Sequence, residues 1–371
     1  MSVNVMDMRE FGAGITQLIG RRDMSREQAR AMFVEVLMNR QPDLQQGAFL
    51  SALTAKGETV QEIAGSWEAI YDLDTVKAVP DVPGNTVENS GTGMDTFKTF
   101  NISTAASIIA AAAGVTMARH GARAITSACG TIDVLEELGV DVECDVETVK
   151  KSIESAGIGV FNGMSPKVHP QALGRILSQI AFGTTLNIAA SLANPAAPQY
   201  AVRGVYDKEL VEPVAQVMKE IGFKRALVVF GSDGGGTKGM DEASTIGETY
   251  VAELKVNGEI VRYSFTPEEF GIVRPDKEEL GPMRDRKKEA LRLLSILSGK
   301  GSAACTDIVC LNAGLILYLM KRADSIREGF RQAKDIVLSA KGIDKLREWV
   351  RLQNADPAAG SAKLNALMAS V

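Results

Sequence analysis

Histidine and cysteine are scarce in this 371-residue sequence, and their scarcity removes several kinds of functional site from consideration. The two histidines, His120 and His169, lie far from any Cys-x-x-Cys pair, and the cysteines show no metal-ligand spacing, so a zinc site is not indicated. Free thiols suit a reducing compartment, and we expect a cytoplasmic protein. The four cysteines are Cys129, Cys144, Cys305 and Cys310.

The sequence also lacks an excess of positive charge and long apolar runs. Lysine and arginine number 41 against 46 acidic residues, a net charge of −5, which gives no electrostatic reason to expect nucleic acid or an anionic membrane as a partner. The longest apolar stretch, residues 102–117, is interrupted by serine, threonine and glycine and predicts a buried helix. The first residues show no basic-then-apolar pattern, so no signal peptide is expected.

The spacing of apolar residues changes at a connection rich in proline and glycine. Residues 1–77 predict short amphipathic helices, one capped by Ser25 and another by Asp43, whose apolar faces serve either their own core or a partner subunit. Beyond the connection, strand-like and helix-like stretches alternate, which is typical of a mainly parallel sheet. We therefore predict a small all-helical domain, residues 1–77 with a returning helical part near 168–200, and a larger α/β domain, residues 78–371.

Further patterns complete the predicted α/β domain. Residues 225–230 form a continuous apolar strand of the buried kind, and Asn257-Gly258 between two β-rich stretches predicts a hairpin at one edge of the sheet. Residues 170–182 predict a helix. The last residues, 355–371, are rich in alanine and serine and are predicted to form a loosely held tail.

The stretch from Glu88 to Thr104 leads from a strand through a glycine loop into an apolar helix. Gly91 and Gly93 allow the backbone to approach an anion, which the first N–H groups of the helix would then face. The loop is not a P-loop, because no Lys-Ser/Thr follows the glycines, and it lacks the third glycine of the dinucleotide fingerprint. The pattern favours phosphate binding over a plain strand-to-helix turn.

Three other stretches are expected to meet this loop, because ligands bind outside the carboxyl ends of parallel strands. Residues 119–123 carry two arginines and His120, and they suit an anion or form a solvated basic turn equally well. His120 by itself is more commonly a hydrogen-bonded structural residue. Thr131 either donates to a phosphate or caps its helix. Asp241 and Glu242 lie in a glycine-rich loop, where they hold Mg²⁺ beside a substrate phosphate or stay solvated, and the expected nearness of the phosphate loop favours magnesium.

Together these motifs resemble the anthranilate phosphoribosyltransferase family over nearly the whole chain. The family's Gly-Thr-Gly-Gly-Asp appears at residues 91–95 with one change, and its Thr-Phe-Asn-Ile-Ser-Thr is intact at 99–104. Its Lys-His-Gly-Asn-Arg appears as Arg-His-Gly-Ala-Arg at 119–123, and its Ser-Ala-Asp-Val-Leu-Glu-x-Leu-Gly is close to residues 131–139. The family's magnesium pair corresponds to Asp241-Glu242.

The resemblance implies a nucleoside phosphorylase/phosphoribosyltransferase-like fold, a homodimer formed through the helical domain, and phosphoribosyl pyrophosphate and Mg²⁺ bound between the domains. In the implied reaction a nitrogen nucleophile displaces pyrophosphate from the ribose C1. The ribosyl group becomes cationic in the transition state, so the enzyme needs no nucleophile of its own and must instead neutralise the pyrophosphate and position the acceptor.

The resemblance also implies roles for individual residues. It gives catalytic roles to Asp95, Arg119 and His120. Magnesium would be held by Ser103, Asp241 and Glu242. The residues implied to contact the donor are Gly91, Gly93, Asp95, Thr99, Asn101, Ser103, Thr104, Arg119, Gly121, Ser127 and Thr131.

The sequence departs from the family where the acceptor binds. The family's asparagine that touches the acceptor is Ala122 here, and its acceptor arginine falls at Leu177 or Gln179, with Arg175 the nearest basic residue. Losing a guanidinium removes the natural partner of a carboxylate. The donor-side departures are Met94 for a glycine and Ala128 for a lysine.

Three functional hypotheses follow. The favoured one is a Mg²⁺-dependent phosphoribosyltransferase whose small aromatic or heterocyclic acceptor is not anthranilate. The second is an authentic anthranilate phosphoribosyltransferase of tryptophan biosynthesis that uses Arg175 or Arg123 for the carboxylate. The third is a non-catalytic relative that binds a nucleotide or nucleic acid, against which the net negative charge and the retained Asp95, Ser103 and Asp241 argue.

Overall fold

The computed structural model describes residues 6–123, 129–180, 182–235 and 238–371 of the chain. Within these ranges the α-helices are α1 (Met8–Ile19), α2 (Arg26–Leu37), α3 (Asp43–Lys56), α4 (Val60–Asp74), α5 (Ile102–Ala112), α6 (Thr131–Glu137), α7 (Val146–Ala156), α8 (Leu173–Gln179), α9 (Leu186–Ala189), α10 (Val211–Glu220), α11 (Arg286–Leu297), α12 (Ala303–Leu319), α13 (Ile326–Leu338), α14 (Lys341–Leu352) and α15 (Pro357–Met368). The strands are β1 (Val87–Gly91), β2 (Met117–Gly121), β3 (Ile158–Asn162), β4 (Tyr200–Gly204), β5 (Arg225–Ser232), β6 (Gly239–Met240), β7 (Thr249–Leu254) and β8 (Ile260–Phe265).

Side-chain caps fix the starts of two N-terminal helices. Ser25 caps α2 as predicted, and Thr59 caps α4. In each case the side chain three residues later, Gln28 or Glu62, accepts a hydrogen bond from the backbone N–H of the cap residue. The prediction for Asp43 is wrong. Asp43 is the first residue of α3, and the cap position before it holds a proline, whose side chain has no oxygen to offer.

The sheet follows the order β3-β2-β1-β4-β5-β7-β8, with the short β6 beside β5. The first five strands in this order are parallel, whereas β7 and β8 form the antiparallel hairpin predicted from Asn257-Gly258. The predicted fold class, helices followed by an α/β unit with a mainly parallel sheet, is confirmed. Because Gly91 lies beside Gly204 in the register of β1 and β4, the carboxyl ends of the central strands meet at one edge.

The two faces of the sheet belong to two different apolar clusters. Leu227 and Val229 of β5 pack with α5 and with the C-terminal helices α11 to α14. Ala226 and Val228, which point the other way, pack with α1 to α4 and with α8 to α10. Helix α10 packs directly on strands β5, β7 and β8, and α4 of the N-terminal helices packs on α10 and on α9.

The helix predicted over residues 170–182 is shorter, because α8 begins only at Leu173. The backbone N–H groups of Gln171, Ala172 and Leu173 donate to the Asp74 carboxylate over 2.5, 3.1 and 2.9 Å. A side chain at the end of α4 thus satisfies the free donors at the start of α8. This contact joins the N-terminal helices to the returning helical segment.

The loosely held tail predicted for residues 355–371 is a helix. Asp356 caps α15 by accepting from two backbone N–H groups, and Leu364 and Leu367 are buried in the main core. Just before it, the buried side chain of Gln353 accepts from Val160 N–H of β3 at 2.9 Å and donates to the Val160 carbonyl at 2.9 Å. Packing against α14 outweighs the weak amphipathic pattern of the tail.

The four cysteines are free thiols, as expected. None of the helices in the described ranges is long and apolar enough to cross a membrane.

Candidate active site

A cavity of about 330 Å³ opens between the carboxyl edge of the sheet and the helices α8 and α9. Most of the residues to which the sequence assigns a site role line it: Gly91, Gly93, Asp95, Thr99, Asn101, Ser103, Arg119, His120, Gly121, Thr131, Asp241 and Glu242. Thr104 does not line the cavity, because it is fully buried in the first turn of α5. Ser127 and the neighbouring Ala128 lie outside the described residues.

Gly91 of the loop makes room for Asp241, whereas a Cβ atom on Gly93 would meet nothing within 4 Å. A Cβ atom on Gly91 would lie 1.9 Å from Asp241 Oδ2, and one on Gly204 would lie 1.5 Å from the Asp241 carbonyl oxygen. The Gly93 N–H donates to Asp241 Oδ2 over 2.7 Å. The acidic loop is therefore docked directly on the strand ends. Asp241 is hydrogen-bonded to the glycine loop and is not free in solvent, which was the alternative expected from the sequence.

Three carboxyl groups crowd together at this point. Burial and the nearby Asp241 raise the pKa of Asp95 to about 6, although Lys98 pairs with Asp95 at 2.8 Å. Burial, Asp241 and Asp95 raise the pKa of Glu242 well above its usual value. Glu242 Oε2 is buried and has no hydrogen-bond partner within the described chain. Crowded carboxylates with an unsatisfied oxygen provide the oxygen ligands that a divalent cation requires.

Arg119 is a buried residue of β2 rather than part of a solvated turn. Its guanidinium donates to Thr104 Oγ1 at 2.9 Å, to Ser103 Oγ at 3.2 Å and to the Asn89 carbonyl. Its charge therefore lies under the first turn of α5. No side chain caps that helix in the described structure, and its N-terminus opens on the cavity. A buried cation and a helix N-terminus together create a positive potential that suits phosphate.

Arg123 is paired rather than free in a solvated turn, and Thr131 lines the cavity but does not cap its helix. The Arg123 guanidinium is held by Glu136 and Glu143, each at 2.8 Å, and by Asp133 at 3.3 Å, so its charge is already neutralised. Thr131 is not a helix cap. Gly130 occupies the cap position of α6, and its N–H donates to the Asp133 side chain.

The two histidines contact each other at the back of the cavity. His169 Nδ1 lies 2.5 Å from the Asp74 carbonyl and must carry the proton there, so its Nε2 accepts from His120 Nε2–H at 3.1 Å. Burial and the neighbouring His169 lower the pKa of His120 to about 3. Both rings are neutral at physiological pH, and both line the cavity.

The side of the cavity formed by the helices is apolar. Its side chains are Leu173, Leu177, Ile180, Phe182 and Leu186. Arg175, on the same helix as Leu173, turns away and donates to the Val36 carbonyl at 2.9 Å and to Gln46 at 3.2 Å. The prediction that Arg175 meets an acceptor carboxylate is therefore wrong, because its guanidinium is engaged outside the cavity. Arg123 does line the cavity, with its guanidinium paired to three acidic side chains.

Met94 occupies its glycine position at a cost in backbone strain. Its φ of 67° lies in the left-handed region that a methionine rarely adopts. The side chain reaches across the cavity to Gly183, where a Cβ atom would lie 2.0 Å from the methionine Cε. The donor loop is thereby joined to the helical side of the cavity by an apolar contact.

Sequence reasoning missed Arg203, which lies 1% exposed in β4 behind the cavity wall. Its guanidinium donates to Ser90 Oγ at 2.6 Å, to Asn187 O at 3.4 Å and to Ser191 Oγ. An arginine within an otherwise apolar strand, directly before Gly204 at the functional edge, is the signal that would have found it.

Family models divide the chain in the same order as the structure does. Residues 14–73 match the helical bundle domain of the glycosyl transferase family, and residues 83–342 match its α/β domain. The helical cover, the mainly parallel sheet and the cavity between them define a glycosyltransferase.

Proteins of similar sequence identify the family within the glycosyltransferases to which the chain belongs. Anthranilate phosphoribosyltransferase of Methanosarcina acetivorans is 40% identical over 345 residues, covering 92% of this chain and 89% of the relative. That of Alkaliphilus metalliredigens is 37% identical over 341 residues, covering 91% and 97%. The chain therefore belongs to the anthranilate phosphoribosyltransferase family.

Solved structures agree with this assignment. The anthranilate phosphoribosyltransferase of Thermus thermophilus superposes with a TM-score of 0.82 at 30% identity, covering 92% of this chain and 99% of that one. The Saccharomyces cerevisiae enzyme, solved in complex with phosphoribosyl pyrophosphate and magnesium, has the same fold, with a TM-score of 0.80 at 22% identity and coverage of 94% and 99%.

Proposed function

We propose that the chain transfers the phosphoribosyl group of phosphoribosyl pyrophosphate to the amino nitrogen of anthranilate. The relatives that carry this name support the acceptor. The observation that carries the proposal is one cavity lined both by the α5 N-terminus and by Asp241 and Glu242. In that reaction the bond between C1 and the pyrophosphate oxygen breaks, the bond between nitrogen and C1 forms, and the amine loses a proton.

The donor would bind with its pyrophosphate on the first turn of α5. Backbone N–H groups of that turn and the Ser103 hydroxyl are the hydrogen-bond donors, and the buried Arg119 charge lies behind them. Asp241 and Glu242 would hold Mg²⁺, whose chemistry when bound is to neutralise charge on the phosphate oxygens. No three His, Cys, Asp or Glu side chains of the described ranges form a complete metal cluster, so phosphate and water must supply the remaining ligands.

A neutral aromatic amine is the second candidate acceptor. The apolar wall of Leu173, Leu177 and Ile180 and the outward direction of Arg175 favour it, because neither offers a partner to a carboxylate. Calorimetric titration with phosphoribosyl pyrophosphate and Mg²⁺, followed by pyrophosphate release with anthranilate and with 2-aminobenzamide, separates the two. Rapid turnover of anthranilate supports the first candidate, turnover of the amide alone supports the second, and absence of donor binding contradicts both.

The helical part would form a homodimer. Large apolar side chains are exposed on α1, on α3 and beside the end of α2, among them Ile19 at 71% and Leu44 at 90%. Covering such residues in a symmetric interface removes them from water. Sedimentation velocity of the purified protein tests this, because a monomer at all concentrations would contradict it.

Magnesium should stabilise the protein more at high pH than at low pH. The Asp95 carboxyl, with its pKa raised to about 6, stabilises the fold when protonated, and this contribution is lost as pH rises through about 6. A cation among the carboxylates replaces the proton. We expect the difference in melting midpoint between Mg²⁺ with pyrophosphate and chelator with pyrophosphate to be largest near about pH 8 and to vanish below about pH 5.

The melting midpoints with Mg²⁺ and with chelator are compared at the same pH. The contribution of the histidines to the midpoint is the same in both, so it cancels in the difference. A metal-induced shift that stays constant between these pH values would show that the cation does not bind among these carboxylates.

A further inference from the structure

None of the contacts described so far explains how the carboxylate of the acceptor is recognised, so the cations around the cavity are considered in turn. Lys98 is paired with Asp95 at 2.8 Å, and Arg123 is held by three carboxylates. Arg119 lies under the α5 N-terminus on the donor side. Arg175 donates to groups outside the cavity. Arg203, buried behind the cavity wall, is a further cation of the described chain, and three of its hydrogen-bond partners line the cavity.

Those partners are Ser90, Asn187 and Ser191, and Arg203 lies behind all three. Ser90 Oγ accepts from Arg203 over 2.6 Å, so its own hydroxyl hydrogen is donated either to the nearby buried Glu88 carboxyl or to a group in the cavity. The Ser191 hydroxyl is used differently, because it donates to the Asn187 carbonyl at 2.5 Å. A hydroxyl that accepts from a guanidinium is polarised and becomes a stronger donor to an anion.

The charge of Arg203 is incompletely compensated inside the protein. The nearby Glu88 is buried; the Ser90 and Asn194 side chains lie close enough to favour its charged form, but neither carboxylate oxygen receives a hydrogen bond of good geometry within the described chain. Burial raises the pKa of Glu88 to about 7, against the opposing effect of Arg203, so this carboxyl is partly protonated near neutral pH. Arg203 Nε is also buried without a partner. An anion bound at the cavity floor would complete this buried network.

The position of Ser90 suits an aromatic acid. It directly precedes Gly91, the point where Asp241 docks, and the apolar side chains of Leu173 and Leu177 line the same cavity. A flat ring packed on the leucines would place a ring carboxylate toward the polar floor.

We propose that Ser90, polarised by Arg203, binds the carboxylate of the acceptor and thereby selects an anionic aromatic amine over its neutral analogue. This inference rests on the proposed function and adds to it the residues that determine the acceptor. Ser90 would contact substrate, whereas Arg203 acts through Ser90 and is a positioning residue.

The test compares two acceptors of the same shape, anthranilate and 2-aminobenzamide, with wild type and Ser90→Ala. Binding to the protein loaded with phosphoribosyl pyrophosphate and Mg²⁺ is measured by calorimetry, and KM and kcat by pyrophosphate release. For Ser90→Ala we expect the Kd and KM of anthranilate to rise about tenfold or more, and those of the amide to change less than about threefold. The affinity for phosphoribosyl pyrophosphate should not change.

Two further variants complete the experiment. Ser178→Ala, in which the lost hydroxyl donates to the Arg175 carbonyl outside the cavity, should match wild type for both acceptors. Arg203→Lys keeps the positive charge but loses the planar, forked guanidinium, and it should also weaken the binding of anthranilate more than that of the amide. Ser90→Ala remains decisive if Arg203→Lys fails to fold.

The inference would be overturned if Ser90→Ala weakened the binding of both acceptors equally, or weakened neither. Failure of anthranilate to bind the wild-type protein would also overturn it. If Ser90→Ala weakens anthranilate binding selectively but neither wild type nor any variant releases pyrophosphate, the role of Ser90 in carboxylate binding is supported and only the proposed reaction is overturned.

Discussion

Glu242→Gln and Asp241→Asn should each lower kcat/KM by about 100-fold or more when pyrophosphate release is measured over a range of Mg²⁺ concentrations. Both substitutions keep the shape of the side chain and remove a negative charge that a divalent cation needs. Asp233→Asn, in the same loop but outside the cavity, is the matched control and should behave like wild type. Unchanged magnesium dependence in both cavity variants would show that this pair does not hold the metal.

The same variants should be at least as stable as wild type in the absence of metal. Asp241 raises the pKa of Asp95 and of Glu242, and Asp95 also raises that of Glu242, so removing a charge from this cluster relieves repulsion that the folded state carries. A higher melting midpoint together with lost turnover identifies residues whose arrangement serves binding at the expense of stability. Lost turnover with a lower midpoint would indicate instead that the fold itself was damaged.

Gly204→Ala should have an effect of similar size although Gly204 carries no functional group. Its Cβ atom would lie 1.5 Å from the Asp241 carbonyl oxygen, so the backbone of the acidic loop must move away from β4. We expect kcat/KM to fall about 100-fold, because small displacements of positioned groups are costly in catalysis, and the free energy of unfolding to fall by about 1–3 kcal/mol.

Gly47→Ala is the matched control for that substitution. Gly47 lies in α3, and a Cβ atom there would meet nothing within 4 Å, so the change should raise the free energy of unfolding by about 0.5–1 kcal/mol through helix propensity. If Gly204→Ala retains full activity, the acidic loop is not held in place by its contact with β4.

Much of the fold could be read from the sequence because its signals are local. The Asn257-Gly258 turn fixes its hairpin, Ser25 fixes the start of α2, and the apolar run at 225–230 becomes the interior of β5. The tail was misjudged because α15 has no strong amphipathic period of its own and is held by packing. Tertiary contact of this kind overrides local pattern and leaves no mark in a short window of sequence.

The candidate site was predictable to the level of residues but not of contacts. Nearly every residue that the motifs named lines the cavity, yet the motifs did not show that Arg123 would be neutralised by three acids or that Arg175 would turn toward Val36. Those outcomes depend on partners between 10 and 139 positions away along the chain. Arg203 was missed for the same reason, since its partner Ser90 lies 113 positions away.

The contact between Gln353 and Val160 bears on how the molecule stays separate from its own copies. β3 is the outermost strand on its side of the sheet, and an open strand edge invites pairing with another chain. One side-chain amide occupies both the N–H and the carbonyl of Val160 and so acts as a one-residue substitute for a neighbouring strand. The C-terminal helices thus protect the sheet from edge-to-edge aggregation, a task unrelated to the chemistry at the opposite ends of the same strands.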